Sequence, residues 1–141
     1  MIKQVSVFME NKVGRLFHIA KTLGNNKINI RALSLADTSD FGILRLIVDE
    51  PDLAITVLKA ENYTVSPTNV MAIEVEDHPG GLSDLLGLFD KNEINIEYMY
   101  ALPKRTGGKA VMIFRFDDDS IEAKLNAAGI KPLGAEDVKT I

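Results

Sequence analysis

Apolar and polar positions change period along the chain, and the changes come in a repeating order. Val5, Val7 and Met9 alternate with Gln4, Ser6 and Phe8, the two-residue period of a strand. After Asn11-Lys12-Val13-Gly14 the period lengthens. Leu16, Ile19, Ala20 and Leu23 fall on one side of a helix, and Gly24-Asn25-Asn26 is its stop signal. A strand is expected over residues 28–35, then a polar loop at Asp37-Thr38-Ser39-Asp40 and a nearly continuous apolar strand over 42–48. Pro51, after acidic Asp49 and Glu50, opens a second helix over residues 52–60 with Leu53, Val57 and Ala60 inward. A short strand near residues 63–66 leads through Pro67 into the alternating run Met71, Ile73 and Val75, and there the order restarts. Pro79-Gly80-Gly81 turns the chain, Leu82, Leu85, Leu86 and Phe89 form a second helical stripe, and Asn92 ends it. Strands over 94–102 and 110–116, a helix with Ile121, Leu125 and Ala128 inward, a strand near 131–133 and one more helical turn follow. Each half reads β-α-β-β-α-β, four antiparallel strands with two helices on one face.

The restart is a duplication. Residues 10–31 align with residues 76–97, an offset of 66 that places Gly14 on Gly80. Seven of the 22 aligned pairs are identical: Glu10/Glu76, Gly14/Gly80, Leu16/Leu82, Asn26/Asn92, Ile28/Ile94, Asn29/Asn95 and Ile30/Ile96. Composition alone would give roughly one or two. The expected fold class is α+β, two ferredoxin-like βαββαβ modules over residues 1–68 and 69–141, packed side by side with pseudo-twofold symmetry. Modules this small bury a marginal core alone and are expected to share buried surface.

Composition narrows the function. The 141 residues are 46% hydrophobic and 26% charged, as in a soluble globular protein. No apolar run approaches the length of a membrane span, and residues 1–4 lead into a strand without a signal-peptide pattern. The expected location is the cytoplasm, with no membrane partner. The absence of cysteine rules out disulfides, thiolate catalysis and cysteine-bound metals. Net charge is −4 and uneven: residues 1–70 hold 8 basic and 7 acidic groups, residues 71–141 hold 8 and 13. Tyr98 and Tyr100 have the spacing of base-stacking aromatics, but an acidic half offers nucleic acid no electrostatic footing.

Few residues suggest chemistry. Gly14 and Gly80 suit a turn that needs positive φ, and the helix behind each offers free N–H groups and a positive dipole end to a carboxylate. Gly81 leaves the backbone bare for close approach. Asn29 and Asn95 each stand between two isoleucines at the start of a strand, where asparagine is depleted. Each either bonds local backbone or serves a ligand. Asn11 and Asp77 could accept bonds from an ammonium group or cap the helix. His18 and His78 lack metal-ligand spacing, Lys104-Arg105 with Lys109 reads as a solvated tip, and Asp117-Asp118-Asp119 favours a helix dipole. No nucleophile–base set, phosphate loop or dinucleotide fingerprint is present, so no catalysis, metal or cofactor is expected.

These motifs resemble the ACT domain, whose βαββαβ fold carries a D/N-x-P-G-x-L loop before helix one and a G-[IV]-N-[IV] or small-residue start to strand two. The second copy has Asp77-His78-Pro79-Gly80-Gly81-Leu82 and Ile94-Asn95-Ile96. The first has Asn11-Lys12-Val13-Gly14-Arg15-Leu16 and Ile28-Asn29-Ile30, with Val13 in place of proline and Arg15 in place of a small residue. The resemblance covers practically the whole chain, as in small stand-alone tandem-ACT proteins of bacteria. It implies a non-enzymatic regulator that binds a free amino acid at an interface between ACT modules. Asn11, Gly14 and Leu16 with Asp77, Gly80 and Leu82 would line the loops, flanked by Arg15, His78, Pro79 and Gly81. Asn29 and Asn95, beside Ile30 and Ile96, would bond the ligand's amino and carboxylate groups, and Arg15 could clamp a carboxylate. A homodimer is compatible with this reading. The rival is a regulatory subunit that acts by contact with an amino-acid metabolic enzyme, its pockets vestigial.

Overall fold

In the N-terminal half the elements are β1 (Ile2–Glu10), α1 (Arg15–Asn25), β2 (Ile30–Asp37), β3 (Phe41–Val48), α2 (Pro51–Ala60) and β4 (Thr64–Glu76). After β4 come α3 (Gly81–Lys91), β5 (Tyr98–Thr106), β6 (Lys109–Arg115), α4 (Ile121–Ala127) and α5 (Ala135–Thr140). This computed structural model describes residues 1–37 and 40–140, without the side chains of residues 104–106. Thr38-Ser39 of the polar loop and the Lys104 and Arg105 side chains therefore lie outside the described residues. The chain divides into an N-terminal unit, Lys3–Thr68, and a C-terminal unit, Met1–Ile2 with Asn69–Ile141.

The N-terminal unit orders its strands β2-β3-β1-β4, with β1/β3 and β2/β3 antiparallel. Val5 and Val7 lie opposite Leu46 and Leu44 and share a core with Ile19 and Leu23 of α1 and Ala54 and Leu58 of α2. The α2 face differs from the expectation. Ala54 and Leu58, four residues apart, are buried, Val57 is partly packed, and Leu53 is exposed. The polar side of β1 also differs, because Gln4 and Ser6 are 0% and 7% exposed. They are buried together with their partners: Gln4 Nε2 donates to Ser6 Oγ at 3.0 Å, and Ser6 Oγ lies 3.0 Å from Thr68 Oγ1. A buried polar group costs little when its bonds are made inside the fold.

In the C-terminal unit β4, β6 and β5 pair antiparallel in that order. Its core is built on phenylalanines. Phe89 of α3 meets Phe114 and Phe116 edge-on at 5.3 and 5.5 Å, and those two rings stack at 5.6 Å. Leu85, Ile121 and Leu125 close around them. The strand expected near 131–133 is a single bridge in which Leu133 N–H donates to the Ala72 carbonyl at 2.8 Å. Pro132 removes the neighbouring donor. The short strand near 63–66 and the run from 70 are one strand, β4, which Pro67 does not interrupt.

Candidate functional site

The two glycine turns have nearly the same backbone. Gly14 (φ 88°, ψ −13°) and Gly80 (φ 87°, ψ −8°) are the N-caps of α1 and α3. Both are left-handed, which costs a side-chain-bearing residue roughly 1–2 kcal/mol. An added Cβ would meet nothing within 4 Å at either position, so the demand is on angle and not on space. The helices start the same way, with His18 N–H donating to Gly14 O and Asp84 N–H to Gly80 O, both at 2.9 Å. Gly81 is different. A Cβ there would stand 1.9 Å from the Glu76 carbonyl oxygen. Its bareness therefore makes room for the turn's own backbone, a reason for glycine that involves no ligand. Arg15, at the matching position, carries a side chain. Its N–H donates to Lys12 O at 3.2 Å as Gly81 N–H does to His78 O at 2.9 Å, and the first loop adds a bond from Lys12 N–H to the Glu10 carbonyl at 2.9 Å.

The asparagine starts also repeat. Asn26 and Asn92 each send Nδ2 to a carbonyl four residues back, Thr22 O and Leu88 O, both at 2.8 Å. Lys27 (φ 58°) and Glu93 (φ 56°) then turn left-handed, and the N–H groups of Ile28 and Ile94 return to Leu23 O and Phe89 O. Four of the repeated positions (Asn26, Asn92, Ile28 and Ile94) thus close helices. Asn29 and Asn95 follow on the exposed surface, beside half-buried Ile30 and Ile96. They stand before β2 and β5, not inside them, because the left-handed residue delays strand pairing. Asn29 N–H donates to Asp49 Oδ1 at 2.9 Å, and Asp49 N–H returns to Asn29 O at 3.2 Å. Neither side-chain amide bonds a described residue. The flanking charges are inverted, with Lys27 and Arg31 around Asn29 and Glu93 and Glu97 around Asn95. Asn95 lines a cleft of about 250 Å³ with Glu93, Glu97, Asp117 and Asp118.

The remaining expected residues divide between support and surface. Asn11 is not a helix cap, since Gly14 holds that place. It ties the first loop to the β2–β3 turn through Nδ2 to Asp37 Oδ2 and its own N–H to Asp40 O, both 3.0 Å. Asp77, His78, Pro79 and Gly80 are exposed, and His78 Nδ1 donates to the Pro79 carbonyl at 2.9 Å. Leu16 and Leu82 are left equally open, 39% and 40% exposed, at the first turn of each helix. Arg15 lines a cleft of about 570 Å³ with His18 and Tyr63. His18 Nδ1 lies 2.6 Å from the Tyr63 hydroxyl, a pairing across 45 residues that sequence spacing does not reveal. Asp118, in the acidic run, is committed locally. Bonds from Lys124 and then Ser120 hold its carboxyl down at about 2. Among the described residues no group of three or more His, Asp or Glu side chains could hold a metal ion.

Within each unit the glycine turn and the asparagine lie at opposite ends of one helix. α1 and α3 are 11 residues each, which at about 1.5 Å per residue is roughly 16 Å. The expected pairing of the two features is thus not assembled by one unit alone.

The sequence profile of a family described as an ACT domain pair matches residues 1–126. The crystal structure of a protein from Bacteroides thetaiotaomicron has a TM-score of 0.89 at 35% identity, covering 99% of this chain and 96% of that one. The ligand-free regulatory subunit of aspartate kinase from Thermus thermophilus gives 0.64 at 14% identity, and that of Thermus flavus 0.61 at 12%, each over 90% of both chains. At such identities the likeness is one of fold. No curated protein matches the chain.

Proposed function

The chain belongs to the ACT domain pair family, regulatory modules of ferredoxin-like fold, and from that membership we propose that it binds a free amino acid and has no catalysis of its own. Residues 1–68 and 69–141 are its two modules, and the cytoplasm is its place of action. No helix among the described residues is long and apolar enough to cross a membrane. Occupancy shifts a conformational or assembly equilibrium by the ligand's differential affinity for the two states.

One observation carries the reading. Asn29 and Asn95 recur at matching positions, stand exposed, and leave their amides unbonded to the described residues, so local backbone support does not account for them. An amide offers a donor to a carboxylate and an acceptor to an ammonium group. The glycine-capped starts of α1 and α3, each with a half-open leucine, supply N–H groups and an apolar edge. Because a helix separates the turn from the asparagine, one amino acid reaches both kinds of group only when two modules supply them.

A melting and calorimetric screen against the common L-amino acids at millimolar concentration tests the proposal. At 100 times its Kd a ligand adds about 2.7 kcal/mol to the unfolding free energy. At least one amino acid should raise the melting temperature and give heat. Asn95→Ala should weaken that ligand by about 1–3 kcal/mol while leaving the fold intact. No heat and no shift with any amino acid overturns the reading and leaves a subunit that acts by contact with an amino-acid metabolic enzyme.

A further inference from the structure

We propose that the N-terminal unit carries a ligand cleft of its own, which takes a small organic monocarboxylate with an apolar body. The site is distinct from the asparagine positions and rests on residues that the duplication does not share. Six side chains define it: Phe8, Arg15, His18, Phe41, Glu61 and Tyr63. At the structurally matching positions the second copy has Glu74, Gly81, Asp84, Lys109, Ala128 and Ile130. The C-terminal unit forms the matching helices and its first three strands without any of them, its last strand being a single bridge.

The cleft of about 570 Å³ has room for a small molecule. Its cation is Arg15, which makes no side-chain hydrogen bond or ion pair with a described residue. A planar guanidinium with open donors matches a carboxylate in bidentate geometry. The acid nearest in sequence, Glu10, is already engaged: Lys12 Nζ sits 2.7 Å from Glu10 Oε2 and, with Arg15 adding a smaller part, holds that carboxyl below its usual range. Also lining the cleft, Tyr63 and His18 are fixed to each other at 2.6 Å with ring centroids 5.7 Å apart, and Glu61 stands 4.0 Å from His18 Nε2. Phe8 and Phe41, 48% and 61% exposed, supply apolar surface beside the charge. Glu10 and Glu61 disfavour a dianion such as phosphate. One guanidinium, a fixed hydroxyl–imidazole pair and two phenyl rings select a single carboxylate carried on a ring or branched chain.

The test is an NMR titration of the ¹⁵N-labelled full chain with benzoate, set beside acetate and benzylamine. Benzoate should saturate shifts at the Arg15 Nε–H and at the ring signals of Tyr63 and His18 in the millimolar range. Acetate should bind about tenfold more weakly and benzylamine should not saturate. Arg15→Gln and, separately, Phe41→Ser should each weaken benzoate by about tenfold or more, while Asn95→Ala leaves it unchanged. Absence of saturation, or an unaltered titration in Arg15→Gln, overturns the proposal. So does equal binding of benzylamine, which would reveal only an apolar patch. If an amino acid saturates the same signals and Arg15→Gln abolishes both ligands, the cleft is the amino-acid site and the separate monocarboxylate site is overturned.

Discussion

Gly80 and Gly81 are neighbours with different reasons to be glycine, and the reasons predict different losses. Gly80 needs a left-handed φ in open space, so Gly80→Ala should cost about 1–2 kcal/mol of stability. Gly81→Ala drives a methyl group into the Glu76 carbonyl, which is backbone and cannot swing aside. The start of α3 must then move, and the loss should exceed that of Gly80→Ala, about 3 kcal/mol or more. Urea unfolding of the two variants decides the order, and equal losses would show that the turn relaxes freely. The paired loop residues separate in the same way. Asn11 is occupied by Asp37, so Asn11→Ala should lower stability with little effect on amino-acid affinity. Asp77 is exposed on the second loop and carries the negative charge that Asn11 lacks, so Asp77→Ala should weaken the amino acid more than Asn11→Ala does. Titrating both variants with the best ligand checks this, and a larger affinity loss at Asn11 would refute it.

Among the elements, α4 is short and has a traceable anchor. Its seven residues begin after Ser120, whose N–H and Oγ donate to Asp118 Oδ1 at 2.9 and 2.6 Å. Lys124 then joins Asp118 Oδ2 at 2.9 Å and the Glu93 carbonyl at 3.1 Å, tying the helix to the loop before β5. Asp118 has its carboxyl lowered from 3.8 to about 2, so its stabilising contribution is complete above the ordinary value and is lost as pH falls through the lower one. Asp118→Asn should therefore be less stable than the parent at neutral pH, and the gap should close across that acid interval. A gap independent of pH would mean that the carboxylate's charge is not what anchors the helix. The helices, most strands and the doubled βαββαβ order were legible in the sequence because periodicity and glycine turns are local signals. Contacts between distant residues were not. The start of β2 after Asn29 depends on a left-handed Lys27, the need for Gly81 depends on the path of Glu76, and His18 meets Tyr63 only once α1 and β4 are placed. Of the candidate site, the glycine turns and the two asparagines were legible, but their separation by a full helix was not.

Across the whole molecule, duplication preserved a frame while substitution inverted its charge. Gly14/Gly80 keep their geometry and Asn29/Asn95 their place after a left-handed residue, yet Lys27 and Arg31 in one half are Glu93 and Glu97 in the other. Arg115 Nε, 3.7 Å from Glu97, and Lys124, paired with Asp118 at 2.9 Å, offset only part of the negative charge around Asn95, where Glu93 and Asp117 also gather. A carboxylate near Asn95 would be repelled, whereas an ammonium group would gain from Glu93 and Asp117. Near Asn29 the flanking lysine and arginine reverse the preference, and the adjacent Asp49 already accepts the Asn29 N–H. An amino acid held at Asn95 should therefore present its ammonium group there, and one held at Asn29 its carboxylate. The prediction is tested with two analogues of whichever amino acid binds best, one lacking the amino group and one lacking the carboxylate. Asn95→Ala should weaken the amine analogue by about 1–3 kcal/mol and leave the acid analogue nearly unaffected. Asn29→Ala should do the opposite. Isothermal titration of both variants with both analogues gives four constants, and the pattern is decisive. If each variant weakens both analogues alike, the asparagines act as equivalent neutral contacts. The inverted charges around them would then not determine which end of the ligand each half receives.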